Sequence, residues 1–316
     1  YFIEDIYRDL LISYLLFFFF AKTMVFGDWW VVTLAPVLDP LGRFVDENLS
    51  VGRLLTYEEM AIIFCTCFIG WGLFALCAHR TFSKSYGDEY PSRIVSWVHA
   101  VVSCVICGFA CLDNQQNDPR WGTFGQKGTG LQQAACLVSA AYFTVDSIGI
   151  LCSSYFSWLF LGHHFICTSC LYYVGVTAHQ GFDLTLITFL MEASNPFLHG
   201  RWLLMEHNAH AEEVEAAVPA ATTIVSKSSQ SKLSHQTASS RRSRLFLRFV
   251  YQATDAMFYI IFVFARVIAG PQLTISVLLS RDAFWLLQLC GFLLQFYSIK
   301  FLVDTVNKNR RGEIWQ

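Results

Sequence analysis

Residues 155–176 read YFSWLFLGHHFICTSCLYYVGV, a helix-length stretch with two adjacent histidines and no Asp, Glu, Lys or Arg. About 20 consecutive apolar residues cross the hydrocarbon core of a bilayer as a helix. Ionisable side chains at that depth are costly, and they normally face the interior of a helix bundle or a wet cavity. The stretch therefore predicts a membrane protein with a functional site around His163 and His164.

The rest of the chain contains further apolar stretches of this kind, of which the first is weaker because it includes Lys22. Of the 316 residues, 54% are hydrophobic and 15% are charged, whereas a soluble domain usually carries about 25% charge. The fold class is therefore predicted to be an all-α integral membrane protein with eight spanning segments. Besides 155–176, they are Leu10–Phe26, Met60–Ala78, Ile94–Cys111, Leu131–Leu151, Phe182–Leu204, Phe249–Ala269 and Phe284–Val303.

The distribution of basic residues predicts how the chain lies in the membrane, since Lys and Arg concentrate on the cytoplasmic side. Eight crossings place most of them, including those of a Ser-rich segment at 206–248, on one face together with both termini. We expect that face to be cytoplasmic, or in the matrix if the membrane is the mitochondrial inner membrane. A glycosylation sequon at Asn48 falls on the opposite face, where the endoplasmic reticulum would allow its use. The net charge of −2 gives no basic balance for binding nucleic acid.

The eleven cysteines lie in or at the ends of apolar segments, which argues against a secreted disulfide framework. Two groups, Cys104 with Cys107 and Cys111, and Cys167 with Cys170, share helix faces and could bind a metal with a nearby histidine. Free cysteine also behaves as a small buried hydrophobe. We favour that interpretation and predict no metal or other cofactor.

Five polar features interrupt the apolar segments: His99, Asp146, the histidine pair, Glu192 with Asn195, and Arg266. A single buried polar residue is usually satisfied by a neighbouring helix, but five on different segments predict a shared polar chamber. The expected catalytic residues are His163, His164, Asp146 and Glu192. The expected ligand-binding residues are His99, Asn195, Arg201 and Arg266.

Helix geometry refines this prediction. Adjacent residues are about 100° apart on a helix, so His163 and His164 cannot both point along one radius. Glu192 and Asn195 are three residues apart and share a face. Pro196 removes a backbone donor and favours a kink, which frees carbonyl groups that need partners.

At these residues the chain resembles the TLC-domain family, which contains the ceramide synthases and their non-synthase relatives. The resemblance covers roughly residues 91–308. The strings that carry it are RIVSWVH at 93–99, YFTVD at 142–146, GHH at 162–164, EASNPF at 192–197, RW at 201–202 and the aromatic helix leading to Arg266.

The resemblance implies a six-helix barrel around a hydrophobic tunnel, formed by the segments from Ile94 onward, with two more helices outside it. It divides the chain into an N-terminal helix and interfacial loop at 1–59, a peripheral helix and connection at 60–90, a TLC-like domain at 91–308 interrupted by 206–248, and a tail at 309–316. In the synthases an acyl-CoA is joined to a sphingoid amine, and their histidine pair matches His163 and His164. The motif at Glu192 and Asn195 departs from the synthase pattern and is similar to that of the non-synthase branch.

Two functions follow as hypotheses. The first is a lipid-handling protein that binds an acyl chain, a phospholipid or a sphingolipid in its barrel, with acyl-CoA as the substrate if it is an acyltransferase. The second is a non-catalytic subunit of a large membrane complex, in which protein partners would order the polar segment 206–248. That segment is predicted to be disordered on its own.

Overall fold

The computed structural model describes residues 53–117, 125, 127–153, 157–217, 247, 249–280 and 284–310. The predicted segment Leu10–Phe26, the sequon at Asn48 and most of the polar segment 206–248 lie outside the described residues.

The described residues form helices, apart from short connections and one isolated antiparallel bridge between Lys127 and His179. In chain order the helices are α1 (Tyr57–Tyr86), α2 (Glu89–Asn117), α3 (Gly130–Cys152), α4 (Trp158–Thr177), α5 (Gly181–Glu192), α6 (Asn195–Ala217), α7 (Phe249–Leu279) and α8 (Trp285–Arg310). Helix α7 contains a π-helical stretch at Val263–Ala269.

Five of these helices are long and apolar enough to cross a membrane, namely α1, α2, α3, α7 and α8. The prediction of an all-α integral membrane protein is therefore confirmed. Helix α4 carries the histidine pair over 20 residues and, like α5 and α6, falls outside that set of five.

Two helix starts follow directly from the sequence. Thr56 precedes α1 and Thr129 precedes α3, and each forms a capping box with the residue three positions later, Glu59 or Gln132. In a capping box the two residues satisfy each other's free backbone N–H groups. These caps fix where α1 and α3 begin.

The predicted segment Phe182–Leu204 is not one helix. Helix α5 ends at Glu192, and α6 begins at Asn195 with Pro196 in its first turn. Proline is suited to a first turn because its missing N–H has no intrahelical acceptor there. A kink was expected at Pro196. The structure has an interruption between Glu192 and Asn195, on the N-terminal side of the proline.

Helix α5 is the centre of the bundle. All but one of its residues are buried, and it packs against α2, α3, α4 and α7. Helix α1 lies at the periphery, with 6% of its most apolar window buried inside the structure. Its Trp71 nevertheless reaches inward, with ring centroids 5.7 Å from His99 and 5.4 Å from Tyr142.

Helices α3 and α4 pack closely at Gly175. A Cβ atom at this position would come within 2.8 Å of the Leu137 side chain. The Gly175 carbonyl accepts a hydrogen bond of 3.1 Å from Gln133 Nε2, and Gln133 Oε1 accepts one of 2.9 Å from the Leu55 backbone. Gln133 is therefore a buried polar residue with a structural role at the helix ends, away from the predicted site.

Candidate functional site

A cavity of about 60 Å³ lies where α3, α4, α5, α6, α7 and α8 converge. Four of the predicted site residues, His163, Glu192, Asn195 and Arg266, line it. The other lining residues are Phe143, Cys167, Cys170, Leu171, Leu184, Ile187, Thr188, Met191, Cys290 and Leu294.

A chain of polar contacts runs along one side of this cavity. Asn195 Nδ2 donates a hydrogen bond of 2.9 Å to Glu192 Oε2, and Asn195 Oδ1 accepts one of 3.2 Å from Arg266 Nη2. His99 Nδ1 lies 4.0 Å from the same Glu192 oxygen. The Asn195 amide therefore connects a carboxylate to a guanidinium, with both of its ends used.

The break between α5 and α6 explains why Arg266 is held here. The backbone carbonyl of Met191 lies in the last turn of α5, next to this break, and it accepts a hydrogen bond from Arg266 Nη2. Arg266 lies within the π-helical stretch of α7, and its own carbonyl accepts a hydrogen bond of 2.9 Å from Gln295 Nε2 on α8. Single π-helical turns are frequent at functional sites.

One donor of the Arg266 guanidinium has no acceptor among the described residues. Its Nε is buried and has no hydrogen-bond partner among the described residues, while the side chain lines the cavity. A buried N–H without an acceptor costs about 1–3 kcal/mol.

His99 is held from three sides. Its ring stacks on Tyr142, with centroids 3.6 Å apart and planes 8° from parallel. Its Nε2 lies 3.0 Å from Ser103 Oγ, which in turn lies 2.8 Å from Ser139 Oγ. These contacts hold the His99 imidazole with its Nδ1 toward Glu192. Glu192 lines the cavity, whereas His99 does not.

The two adjacent histidines of α4 face different neighbours. His164 Nε2 lies 3.2 Å from Asp146 Oδ2 on α3. His163 lines the cavity, and its ring nitrogens lie 3.8 Å from Cys167 Sγ one turn further along α4. Because adjacent residues differ by about 100° around the helix axis, the His164 imidazole faces the Asp146 carboxylate and the His163 imidazole faces the cavity.

Phe143 separates these polar groups. Its ring centroid lies 5.2 Å from that of His164, 5.3 Å from that of His99 and 6.5 Å from that of His163. The three predicted histidines thus meet around one aromatic ring, but each has different polar contacts, and they do not form a single hydrogen-bonded cluster.

Arg201 does not line this cavity, so the cavity gives no support to its prediction as a ligand-binding residue. Its guanidinium is 2% exposed, lies 2.6 Å from Asp255 Oδ1, and is 4.2 Å above the Phe258 ring. A buried arginine needs a compensating charge, and Asp255 on α7 supplies it. Asp255 is 54 residues away in the sequence, so the pairing could not be read from local spacing.

Sequence reasoning did not assign Cys290, Thr188 or Phe143 to the site, and it weighed Cys167 and Cys170 only as metal ligands or buried hydrophobes. All five side chains line the cavity. The spacing of four residues between His163 and Cys167 was a usable signal, since such residues are neighbours on a helix. In the part of the chain that the structure describes, no group of three or more His, Cys, Asp and Glu is arranged to hold a metal ion.

The volume of the cavity limits what it can hold. About 10–15 Å³ of such space holds one water molecule. At about 60 Å³, this cavity has room for a small polar group of a ligand. The long tunnel that the resemblance implied stays a prediction.

Comparison with known proteins agrees with the sequence and the fold. The family model described as the TLC domain matches residues 89–303. No match is found among the curated proteins or among the solved structures.

Proposed function

We propose, since the chain belongs to the TLC-domain family, that it is a membrane lipid-handling protein that binds the polar end of an acyl lipid in the cavity between α3 and α8. The acyl chain leaves the cavity for the surrounding bilayer. The ligand class is a lipid with carbonyl, carboxylate or phosphate oxygens.

The observation that carries this proposal is the unpartnered Nε–H of Arg266 in the cavity wall. Hydrogen bonds from a charged donor contribute about 1.5–3 kcal/mol. Glu192 lies on the same wall and disfavours a second negative charge close to it. A headgroup oxygen therefore fits best at Arg266, with any cationic part of the headgroup toward Glu192.

The route for the acyl chain follows from burial and size. His163, Met191, Asn195 and Arg266 line the cavity but are only half-buried, so the cavity is not sealed from its surroundings. Apolar side chains on α4, such as Phe165 at 71% exposed, face outward where lipid chains would lie. The protein thus recognises the lipid mainly through its polar end.

Acyl transfer to an amine is the reaction that the resemblance to the synthases implies. An imidazole oriented by a carboxylate, as in His164 with Asp146, suits a general base. The motif at Glu192 and Asn195 departs from that of the synthases, so lipid binding is the function proposed for the cavity. The segment 206–248, on which the hypothesis of a complex subunit depends, lies largely outside the described residues, and we do not propose that role.

Lipid retention by the purified full-length chain tests the proposal. Lipids extracted from the protein in mild detergent are identified and counted by mass spectrometry for wild type, Arg266→Gln and Arg201→Gln. We expect Arg266→Gln to retain at least about tenfold less of the main lipid, because 1.4 kcal/mol corresponds to a factor of ten in affinity. Arg201→Gln is the matched control, since it changes a buried arginine that lies outside the cavity.

Equal lipid content in wild type and Arg266→Gln would contradict the proposal, provided that both elute as single particles with the same helix content. A loss of lipid of the same size in Arg201→Gln would also contradict it, because the effect would then come from a general change in the bundle.

A further inference from the structure

Glu192 and Arg266 form a charge-balanced pair in the wall of the cavity. Both side chains line it, and the Asn195 amide connects them, with a hydrogen bond of 2.9 Å to Glu192 Oε2 and one of 3.2 Å from Arg266 Nη2. Glu192 is 8% exposed, and the two charged groups act electrostatically on each other. A buried charge is tolerated where an opposite charge compensates it. The pair therefore leaves no net charge to balance that of a ligand.

An anionic group bound beside Arg266 would disturb this balance. It would bring a second negative charge close to Glu192, and like charges at short range favour the protonated form of a carboxyl group. Uptake of one proton by Glu192 restores the balance, because the ligand then compensates the positive charge of Arg266.

We infer that the cavity binds an anionic head group together with one proton, and that Glu192 carries this proton. The inference rests on the proposed function, and it narrows the ligand to a lipid whose polar end is an ionised oxygen acid, such as a carboxylate or a phosphate. A protonated carboxyl group is also a hydrogen-bond donor. Glu192 and Arg266 would then both donate to the oxygen atoms of the ligand.

His99 is less suited than Glu192 to carry the proton. Its Nδ1 lies 4.0 Å from Glu192 Oε2, so it is the nearest imidazole to the carboxylate that the distances place. The imidazoles of His164 on α4 and His199 on α6 act electrostatically on it. A positive charge on His99 would therefore be opposed wherever one of these neighbours is protonated.

The other ionisable groups around the cavity are also less suited. His163 lines the cavity, but it lies within the electrostatic reach of the positive charge of Arg266, which opposes a second positive charge. The remaining groups are thiols and one phenol, which already hold their protons at neutral pH. They are Cys104 and Cys107 of α2, Tyr142 of α3, Cys167 of α4 and Cys290 of α8.

The test measures how many protons accompany binding to the full-length protein in lipid nanodiscs. The probes are decanoate, decanesulfonate and decanamide, which have the same chain length and different head groups. The sulfonate stays ionised and has the tetrahedral geometry of a phosphate, whereas the amide is neutral. Isothermal titration calorimetry in two buffers with different enthalpies of ionisation gives the number of protons taken up, with protein-free nanodiscs as the blank.

Two variants are compared with wild type. Glu192→Gln keeps an oxygen for the hydrogen bond from Asn195 and adds an N–H donor, as protonation of the carboxyl group would add an O–H donor. Asp183→Asn is the matched control, because Asp183 is also buried on α5, accepts a hydrogen bond of 2.8 Å from the Gly125 backbone, and does not line the cavity.

For wild type we expect one proton taken up with each anionic probe and none with decanamide. The complex then holds one proton more than its separated parts, so the association constant falls about tenfold for each unit of rising pH. Glu192→Gln should bind the anionic probes without proton uptake and at least about tenfold more tightly than wild type at about pH 9. Asp183→Asn should behave as wild type.

Binding of the anionic probes to wild type without proton uptake, uptake that persists in Glu192→Gln, or loss of uptake in Asp183→Asn would overturn the inference. Binding of decanamide alone would overturn it as well, and lipid binding would stand. If wild type binds none of the three probes, the proposed function fails together with the inference. Uptake with decanoate alone would assign the site to a carboxylate, and uptake with both anionic probes would extend it to a phosphate.

Discussion

At the scale of single residues, the site depends on the different directions in which two adjacent histidines point from one helix. His163 faces the cavity and Cys167, whereas His164 faces Asp146. Consecutive residues point in directions about 100° apart around the helix axis. The sequence therefore predicted that the two histidines face different neighbours, but it could not identify those neighbours. Those partners depend on which helices are neighbours.

Glu192 provides a prediction at this scale. Glutamine at 192 keeps an oxygen that accepts the hydrogen bond from Asn195 Nδ2, whereas alanine leaves that amide N–H without its acceptor. Unsatisfied buried donors cost about 1–3 kcal/mol. We therefore expect Glu192→Ala to lower the free energy of unfolding by about 2 kcal/mol more than Glu192→Gln does.

Thermal unfolding of both variants in the same detergent measures this difference. An equal loss of stability in the two variants would show that the hydrogen bond from Asn195 contributes nothing, and that the contact chain from Glu192 to Arg266 does not organise the site.

The sequence predicted the residues of the cavity wall better than their contacts. Glu192, Asn195 and Arg266 were identified because polar groups in apolar segments are rare and tend to face inward. Arg201 satisfied the same criterion but pairs with Asp255, since inward-facing polarity does not distinguish a ligand site from an internal ion pair. The place of Cys167 in the cavity wall was not predicted, because cysteine is compatible with ordinary apolar packing.

At the scale of helices, two departures from regular geometry build the cavity. The Met191 carbonyl lies next to the break between α5 and α6, and the π-helical stretch of α7 brings Arg266 to it. Pro196 made the first departure predictable. The π-helical stretch has no comparable signal in the sequence, because it depends on packing of α7 against α5 and α8.

Gly175 provides a prediction at this scale. Alanine there would place a Cβ 2.8 Å from the Leu137 side chain and force α3 and α4 apart, whereas alanine at Gly162 on the same helix meets nothing within 4 Å. Overpacking usually costs about 1–3 kcal/mol, while an exposed glycine to alanine change in a helix is favourable by up to about 1 kcal/mol. We expect Gly175→Ala to be destabilised and Gly162→Ala to be unchanged or slightly stabilised.

Thermal unfolding of these two variants beside wild type checks the α3–α4 contact. If Gly175→Ala unfolds at the same temperature as Gly162→Ala, the close approach of the two helices is wrong. The packing that positions Phe143 between the histidines would then need revision.

At the scale of the whole molecule, composition and hydropathy were sufficient to predict an all-α membrane protein, because the bilayer allows few alternatives. The interior was less predictable. The resemblance implied a barrel around a tunnel, which stays a prediction, whereas the burial of α5 along almost its whole length and the cavity of about 60 Å³ beside it had no signal in the sequence. The orientation with both termini in the cytoplasm or matrix stays a prediction from the distribution of charge.

The most direct test of the central claim is photo-crosslinking of the full-length protein in a bilayer with a fatty acyl probe that carries a diazirine beside its carboxyl group. If the polar end of the lipid lies in the cavity, adducts will map to the wall residues of α4, α5 and α7, such as Cys167, Met191 and Arg266. Adducts confined to outward-facing side chains such as Ile69, Phe109 and Phe292 would contradict the claim.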